Sequence, residues 1–486
     1  MKILKDILYK AQIEEVMGYT SISINEVCFD SRDVKPGCLF VAIEGLSFDG
    51  HLFIEQSIKK GAKAIVCQTM PQAIESGITY IKVKDSSHAL SIIAANFYGN
   101  PSEQVKLIGV TGTNGKTTTV TLLFNLFKVL GYKVGLLSTV KNQINDNTIA
   151  STHTTPDTLA LNKLLRLMAD AGCTYVFMEV SSHAIVQHRI SGLTFVGGVF
   201  TNITHDHLDY HKTFDAYIKA KKGFFDMLPK GAFALVNKDD KNAVVMLQNT
   251  KASKKTYGLL HDCDFKCRVL ENNFGGLLLS IDNNEVLCKL IGTFNAYNLT
   301  SAYAVAVLLG EDKIKTLQYI SNLNPPEGRF EYLVSAENIT GVVDYAHTPD
   351  ALKNVLNTIK DIRTGNEKVI VVIGCGGDRD TAKRPLMAGI ACEFSDKVIL
   401  TSDNPRSEDP EVIIKQMQAG VPVSKSKKVL AIVDRKQAIK TACSLAVKGD
   451  IIIIAGKGHE KYQDINGIKH PFDDMEILSE LLNDLA

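Results

Sequence analysis

The chain has 486 residues, too many for one ordinary core at roughly 150 residues per domain, so about three domains are expected. Hydrophobic residues make up 45% and charged residues 22%, which excludes a largely disordered chain because there is ample apolar surface to bury. Fifty-four Lys and Arg balance 53 Asp and Glu, and a net charge of +1 gives no bulk reason to bind nucleic acid or an anionic membrane.

Residues 1–16 carry spaced apolar side chains together with Glu14 and Glu15, and predict an amphipathic helix and not a signal peptide. No stretch approaches the ~18 uncharged apolar residues of a membrane span, so none is expected. The ten cysteines lie scattered, without a CxxC pair or zinc spacing, which fits reduced core thiols in the cytoplasm. Apolar runs at 64–66, 105–110, 175–179, 196–200, 369–373, 397–400 and 451–455 suit buried parallel strands. Most are followed by turns and then a helical pattern, as at 117–130. Strands alternating with helices predict an α/β protein with doubly wound parallel sheets. Turn residues at Tyr98-Gly99-Asn100-Pro101-Ser102 and the paired prolines at Pro325-Pro326 mark two joints. The expected domains are 1–101, 102–327 and 328–486.

The segment from Leu107 to Thr118 runs from an apolar strand into a helix through Gly112-Thr113-Asn114-Gly115-Lys116-Thr117-Thr118. Its glycines let backbone N–H groups face a phosphate, at the positive end of the following helix. Lys116 would reach the β/γ-phosphates of ATP, and the Thr117 hydroxyl would join a Mg²⁺ shell. Val110 stands where the strict phosphate-loop pattern has its first glycine. The bland alternative is a Gly-rich strand-to-helix turn. Glu179 closes an apolar strand, and His207 follows another in a polar run. Each alone also fits a solvated loop residue or a cap. Together, at strand C-terminal ends, Glu179 and His207 with Thr117 would suit Mg²⁺.

At this point the sequence resembles the Mur ligase family, ATP-dependent amide-forming enzymes of peptidoglycan precursor synthesis. The resemblance runs through the phosphate loop, Glu179-Val180-Ser181-Ser182-His183, Asn202-Ile203-Thr204-His205-Asp206-His207-Leu208-Asp209, Gly292-Thr293-Phe294-Asn295-Ala296-Tyr297-Asn298, Gly328-Arg329 and Asp344-Tyr345-Ala346-His347-Thr348-Pro349. It covers essentially the whole chain. It implies an N-terminal uridine-nucleotide-binding domain, a central P-loop ATPase-like parallel sheet domain and a C-terminal Rossmann-like domain. It also implies Ser31 and Arg32 as contacts to the uridine diphosphate. Thr154, Thr155, Ser181, Gln187 and Arg189 would hold the muramoyl dipeptide. Asn295, Asn298, Arg329 and Asp344 would contact the nucleotide. Lys221, by its own sequence setting a surface helix lysine, matches the family's carbamylated lysine, which holds a second Mg²⁺.

In the C-terminal segment, Arg379, Asp403-Asn404-Pro405-Arg406, Gly456 and Glu460 match the amino-acid pocket of members that add meso-diaminopimelate. That substrate is lysine with a second amino-acid centre at its far end. An arginine fork binds the extra carboxylate bidentately, whereas lysine would leave Arg406 unpaired. Glu460 would partner an ammonium. The resemblance therefore implies a UDP-muramoyl dipeptide, meso-diaminopimelate and ATP as substrates and Mg²⁺ as cofactor; a cytoplasmic monomer is the further expectation. The lysine-adding relatives and, more remotely, folylpolyglutamate synthase-like ligases are the alternatives.

Overall fold

The structure is a computed structural model. It describes residues 1–483 except Leu46, Ser47, Thr152, His205 and His207, and only the backbone of Leu208 and Asp209. Among the described residues, three large sheets follow one another along the chain. The first has five strands, with Ile13–Met17 antiparallel at one edge beside Thr79–Val83, then Ala64–Cys67, Leu39–Val41 and Val27–Cys28 in parallel. Residues 1–16 thus do not form the expected helix. The helix is a single turn, Leu4–Ile7, and Ile13–Met17 is a strand. Lys10 and Gln12 adopt φ of 62° and 53°, which breaks any continuous helix. The edge of the sheet then supplies partners that local helical preference does not offer.

The second sheet has eleven strands. Seven of them, from Val134–Leu137 across to Phe265–Asn273, are parallel. The five from Val134–Leu137 to Phe233–Asn237 read as near-continuous apolar runs because both faces are covered by helices, whereas Ser253–Gly258 and Phe265–Asn273 are largely polar. The expectation of a parallel sheet holds for this core but not for its borders. A hairpin (Lys141–Ile144 with Asn147–Ala150) extends one edge, and the antiparallel strands Gly276–Ile281 and Asn284–Cys288 extend the other. Short turns such as Asp282-Asn283, both at positive φ, make that second extension possible.

Strand Lys106–Thr111 lies in the middle, between Tyr175–Glu179 and Gly197–Phe200, and the chain winds away from it on both sides. That reversal opens a crevice beyond the strand ends, where open α/β sheets bind ligands. The third sheet places Glu331–Val334 antiparallel to Thr340–Asp344. Ile451–Ala455, Val369–Ile373, Lys397–Leu400 and Val429–Ala431 then continue it in parallel. All seven apolar runs expected as strands are strands here. No helix among the described residues is long and apolar enough to cross a membrane.

Candidate active site

The phosphate loop turns from strand Lys106–Thr111 into helix Lys116–Val129. Gly115 has φ 86°, and a Cβ on it would lie 2.6 Å from the Asn298 Oδ1, so both conformation and space demand glycine. Asn298 in turn donates to Asn295 at 3.0 Å, and the Asn295 amide is anchored on the Ile291 carbonyl. This pair therefore packs under the loop from helix Thr293–Leu308. The loop's donors are turned inward. Lys116 Nζ donates to the carbonyls of Gly112 and Thr113 at 3.0 and 2.9 Å, and the Asn114 N–H donates to Asn202 Oδ1. Burial lowers the Lys116 pKa, opposed by the carboxylates of Glu179 and Asp206.

Glu179 is 1% exposed and accepts three hydrogen bonds. They come from Thr117 Oγ1 at 2.9 Å, Thr139 N at 2.7 Å and Thr139 Oγ1 at 3.2 Å. Hydrogen bonds to a charged group contribute about 1.5–3 kcal/mol each, which offsets the cost of burying the carboxylate. Thr139 went unnoticed in the sequence because it sits in a loop without a motif. Arg329 Nη2 also donates to Thr117 Oγ1, at 3.1 Å, and its guanidinium lies 4.5 Å from the Tyr345 ring centroid. Asp344 holds the Phe330 N–H at 2.7 Å, and burial pushes its carboxyl up to about 6.

Lys221 overturns its own sequence setting: it is 1% exposed. Its Nζ donates to the Gly112 carbonyl at 2.7 Å and lies 4.6 Å from the Tyr217 ring centroid. Burial, reinforced by the Lys116 ammonium, drives its pKa well below the ordinary lysine value. Helix Phe214–Asp226 buries Tyr217, Ala220, Lys221, Phe224 and Phe225. A lysine on that apolar stripe was the available signal.

The dipeptide-contact candidates are linked to the same carboxylate. Thr154 accepts from Thr139, and Thr155 Oγ1 donates to the Glu179 carbonyl while accepting from the Ser181 N–H. Arg189 donates to the Thr155 carbonyl and to Gln187, whose amide reaches Tyr210. A cleft of about 800 Å³ opens beside Tyr210, between helices Ser182–Val186 and Phe214–Asp226. Ser31 and Arg32 lie apart from this network, on the loop after strand Val27–Cys28. There Arg32 is exposed and forks onto Asp30, holding that carboxyl down at about 2.

Thr117 and Glu179 are a hydroxyl and a carboxylate in contact, the hard-oxygen chemistry that Mg²⁺ prefers alongside phosphate oxygens. No group of three or more His, Cys, Asp and Glu gathers among the described residues. Mg²⁺ habitually takes only one or two protein carboxylates, so the pair fits it. His207 lies outside the described residues.

The C-terminal candidates converge where three strands of the third sheet end. A Cβ on Gly377 would sit 1.9 Å from the Pro405 carbonyl oxygen, so the loop after Val369–Ile373 packs directly on the Asp403–Arg406 turn. Arg406 adopts φ 51° and donates through Nη1 to the Gly377 carbonyl at 2.6 Å. Asn404 Nδ2 donates to Glu460 Oε2 at 2.6 Å. Asp403 Oδ2 would meet any side chain at Gly456. Burial, then the Asp403 carboxylate, raises the Glu460 pKa. Arg379 is exposed at the rim and donates to the Asp378 carbonyl. Asp350, at the start of helix Pro349–Ile362, accepts from Asn114 Nδ2 at 3.0 Å and joins this lobe to the phosphate loop.

Comparison with known proteins gives this geometry a family. The Mur ligase family catalytic domain matches residues 23–98, the Mur ligase middle domain 110–306, and the Mur ligase glutamate ligase domain 328–458. A UDP-N-acetylmuramoyl-L-alanyl-D-glutamate--2,6-diaminopimelate ligase of Cytophaga hutchinsonii is 58% identical, with 99% of each chain covered. The ligase of the same name from Bacteroides thetaiotaomicron is 55% identical over 99% of this chain and 100% of its own. A solved structure of an enzyme with that name superposes with a TM-score of 0.70 at 33% identity, covering 99% of this chain and 98% of that one. Relatedness of that extent leaves no part of the fold to a different ancestry, and the chain belongs to the Mur ligase family.

Proposed function

We propose that this protein is an ATP-dependent ligase that adds meso-diaminopimelate to the D-glutamate γ-carboxylate of UDP-N-acetylmuramoyl-L-Ala-D-Glu. The γ-carboxylate oxygen bonds to the γ-phosphorus of ATP, and the bond to ADP breaks. The diaminopimelate amine then forms a C–N bond at the acyl carbon, and phosphate leaves as the C–O bond breaks. Such phosphoryl transfer rests on positioning and charge neutralisation. Lys116 would turn from its loop carbonyls to the β/γ-phosphates, and Arg329 would leave Thr117 for the nucleotide, with Asn295, Asn298 and Asp344 shaping that side. Thr117, Glu179 and His207 would hold Mg²⁺, which supplies charge neutralisation on the phosphates.

Lys221 would be carbamylated: a buried amine held neutral is the form that combines with CO₂, and the product is an anion suited to a second Mg²⁺. Thr154, Thr155, Ser181, Gln187 and Arg189 would bind the dipeptide, and Ser31 and Arg32 the uridine diphosphate. Boundaries at 101/102 and 327/328 and a cytoplasmic monomer complete the reading.

The observation that carries the substrate choice is Arg406, fixed by Gly377 in a pocket shared with Asp403, Asn404 and Glu460. A guanidinium placed there suits the far carboxylate of diaminopimelate, and L-lysine offers nothing to it. The test is kcat/KM for meso-diaminopimelate against L-lysine, with ATP and the UDP-muramoyl dipeptide. Diaminopimelate is expected to be preferred by about 1,000-fold or more. Faster lysine turnover refutes the assignment.

A further inference from the structure

Lys457 is fully buried, between Gly456 and Gly458 after strand Ile451–Ala455. Its Nζ donates to Asn404 Oδ1 at 3.0 Å and lies 3.5 Å from Glu460 Oε2 and 5.5 Å from the Tyr462 ring centroid. Asn404 is thereby fixed in one orientation. Its Oδ1 faces the ammonium and the Asp464 N–H at 2.9 Å, and its Nδ2 faces the Glu460 carboxylate at 2.6 Å. A buried ammonium costs several kcal/mol unless paired, so its place inside the pocket calls for a reason beyond packing.

We propose that Lys457 is a positioning residue for the amino-acid substrate, acting through Asn404 and Glu460 to present the Glu460 carboxylate to the substrate's far ammonium. The inference rests on the diaminopimelate reading above. The charged and titratable groups facing Glu460 are Asp403, Lys457, Arg406, Tyr345 and, behind the strand ends, Arg435. Asp403 favours the protonated acid, while Lys457 and Arg406 favour the carboxylate. Without Lys457 the two acids share the pocket with one fewer cation, and Glu460 retains its proton to higher pH. A neutral Glu460 attracts an ammonium poorly, so affinity for the amino acid falls and returns when the acid is ionised.

The test uses the full-length enzyme and two variants, Lys457→Met, which removes charge and donor, and Lys457→Gln, which keeps a donor for Asn404. Steady-state constants are measured for diaminopimelate and for ATP from pH 7 to pH 9, and each is expressed relative to wild type at the same pH. The expected result in either soluble variant is a KM for diaminopimelate raised about tenfold at pH 7, the effect of one unit in the acid's titration. That ratio is expected to fall to about twofold by pH 9, with the KM for ATP unchanged throughout. A ratio below about twofold at pH 7, or a larger one that does not fall with pH, overturns the positioning role. Absence of diaminopimelate-dependent turnover in the wild type overturns the functional reading itself and the inference with it.

Discussion

Lys221 shows how far a residue's setting can depart from its type. An ammonium loses several kcal/mol of hydration on full burial, and here Lys116 stands beside it on the same Gly112 carbonyl. The neutral amine is the cheaper form. Lys221→Ala is expected to lower kcat by about 100-fold or more in a phosphate-release assay, the scale of removing one electrostatic contributor. Lys221→Arg is expected to lose as much, because arginine keeps a cation but cannot take up CO₂; arginine activity within about tenfold of wild type would exclude a carbamate. Arg406→Lys tests the opposite property. A lysine there keeps charge but loses the planar fork, and kcat/KM for diaminopimelate is expected to fall about 100-fold. Part of this chemistry was readable in advance. The Gly112–Thr118 order announces a phosphate loop because backbone geometry forces those residue types. Thr139 and Asp350 bear no local signature, and Lys457 lies inside the stretch from Gly456 to Glu460 without a sign of its own part in it; these roles exist only because distant strands end together.

Strands and helices were legible wherever burial on both faces made the sequence uniform. The run Ile451–Ala455, uniformly apolar and mostly β-branched, suits a central strand and is one. Residues 1–16 misled because their apolar spacing fits a helix while their fate depends on an edge 60 to 70 residues away, at Thr79–Val83. The same dependence on distant partners governs helices Arg435–Leu445 and Asp474–Asn483. Arg435 and Asp474 are both fully buried and meet in two hydrogen bonds of 2.8 and 2.7 Å. Arg435 also reaches the carbonyls of Ser402 and Ala455, at the ends of the two strands that lead into the amino-acid pocket. Removing one partner leaves the other as an uncompensated buried charge. Asp474→Ala is therefore expected to destabilise the C-terminal lobe by about 3–5 kcal/mol. Urea denaturation checks this, and a loss under about 1 kcal/mol would mean that water reaches Arg435.

For the whole molecule, the decisive contacts are those between the central and C-terminal lobes, Arg329 on Thr117 and Asp350 on Asn114, backed on the C-terminal side by an aromatic cluster. In that cluster His347 and His459 flank Tyr345 at ring-centroid distances of 4.6 and 4.9 Å. Burial, then the neighbouring Lys383 ammonium, lowers His347 to about 4, and burial with Arg329 and His347 lowers His459 to about 3. An unfolded histidine titrates near 6.5, so the unfolded chain takes up protons that the folded chain refuses. Their stability contribution is complete above about pH 6.5 and is lost as pH falls toward 4. Asp344 acts the other way: raised to about 6, it binds its proton more tightly when folded and adds stability as pH falls from 6 toward 3.8. The net pH curve of the protein mixes these signs, so only a difference between two proteins isolates one group. His347→Gln keeps a side-chain donor for the Tyr345 carbonyl and removes the titration. Relative to wild type, the variant is expected to gain about 2 kcal/mol between pH 7 and pH 4.5, from 1.36 kcal/mol per unit discounted for the ring's partial exposure. Urea midpoints of both proteins across that range give the measurement. A difference that stays constant with pH would mean that His347 takes a proton as readily in the folded protein as in the unfolded one.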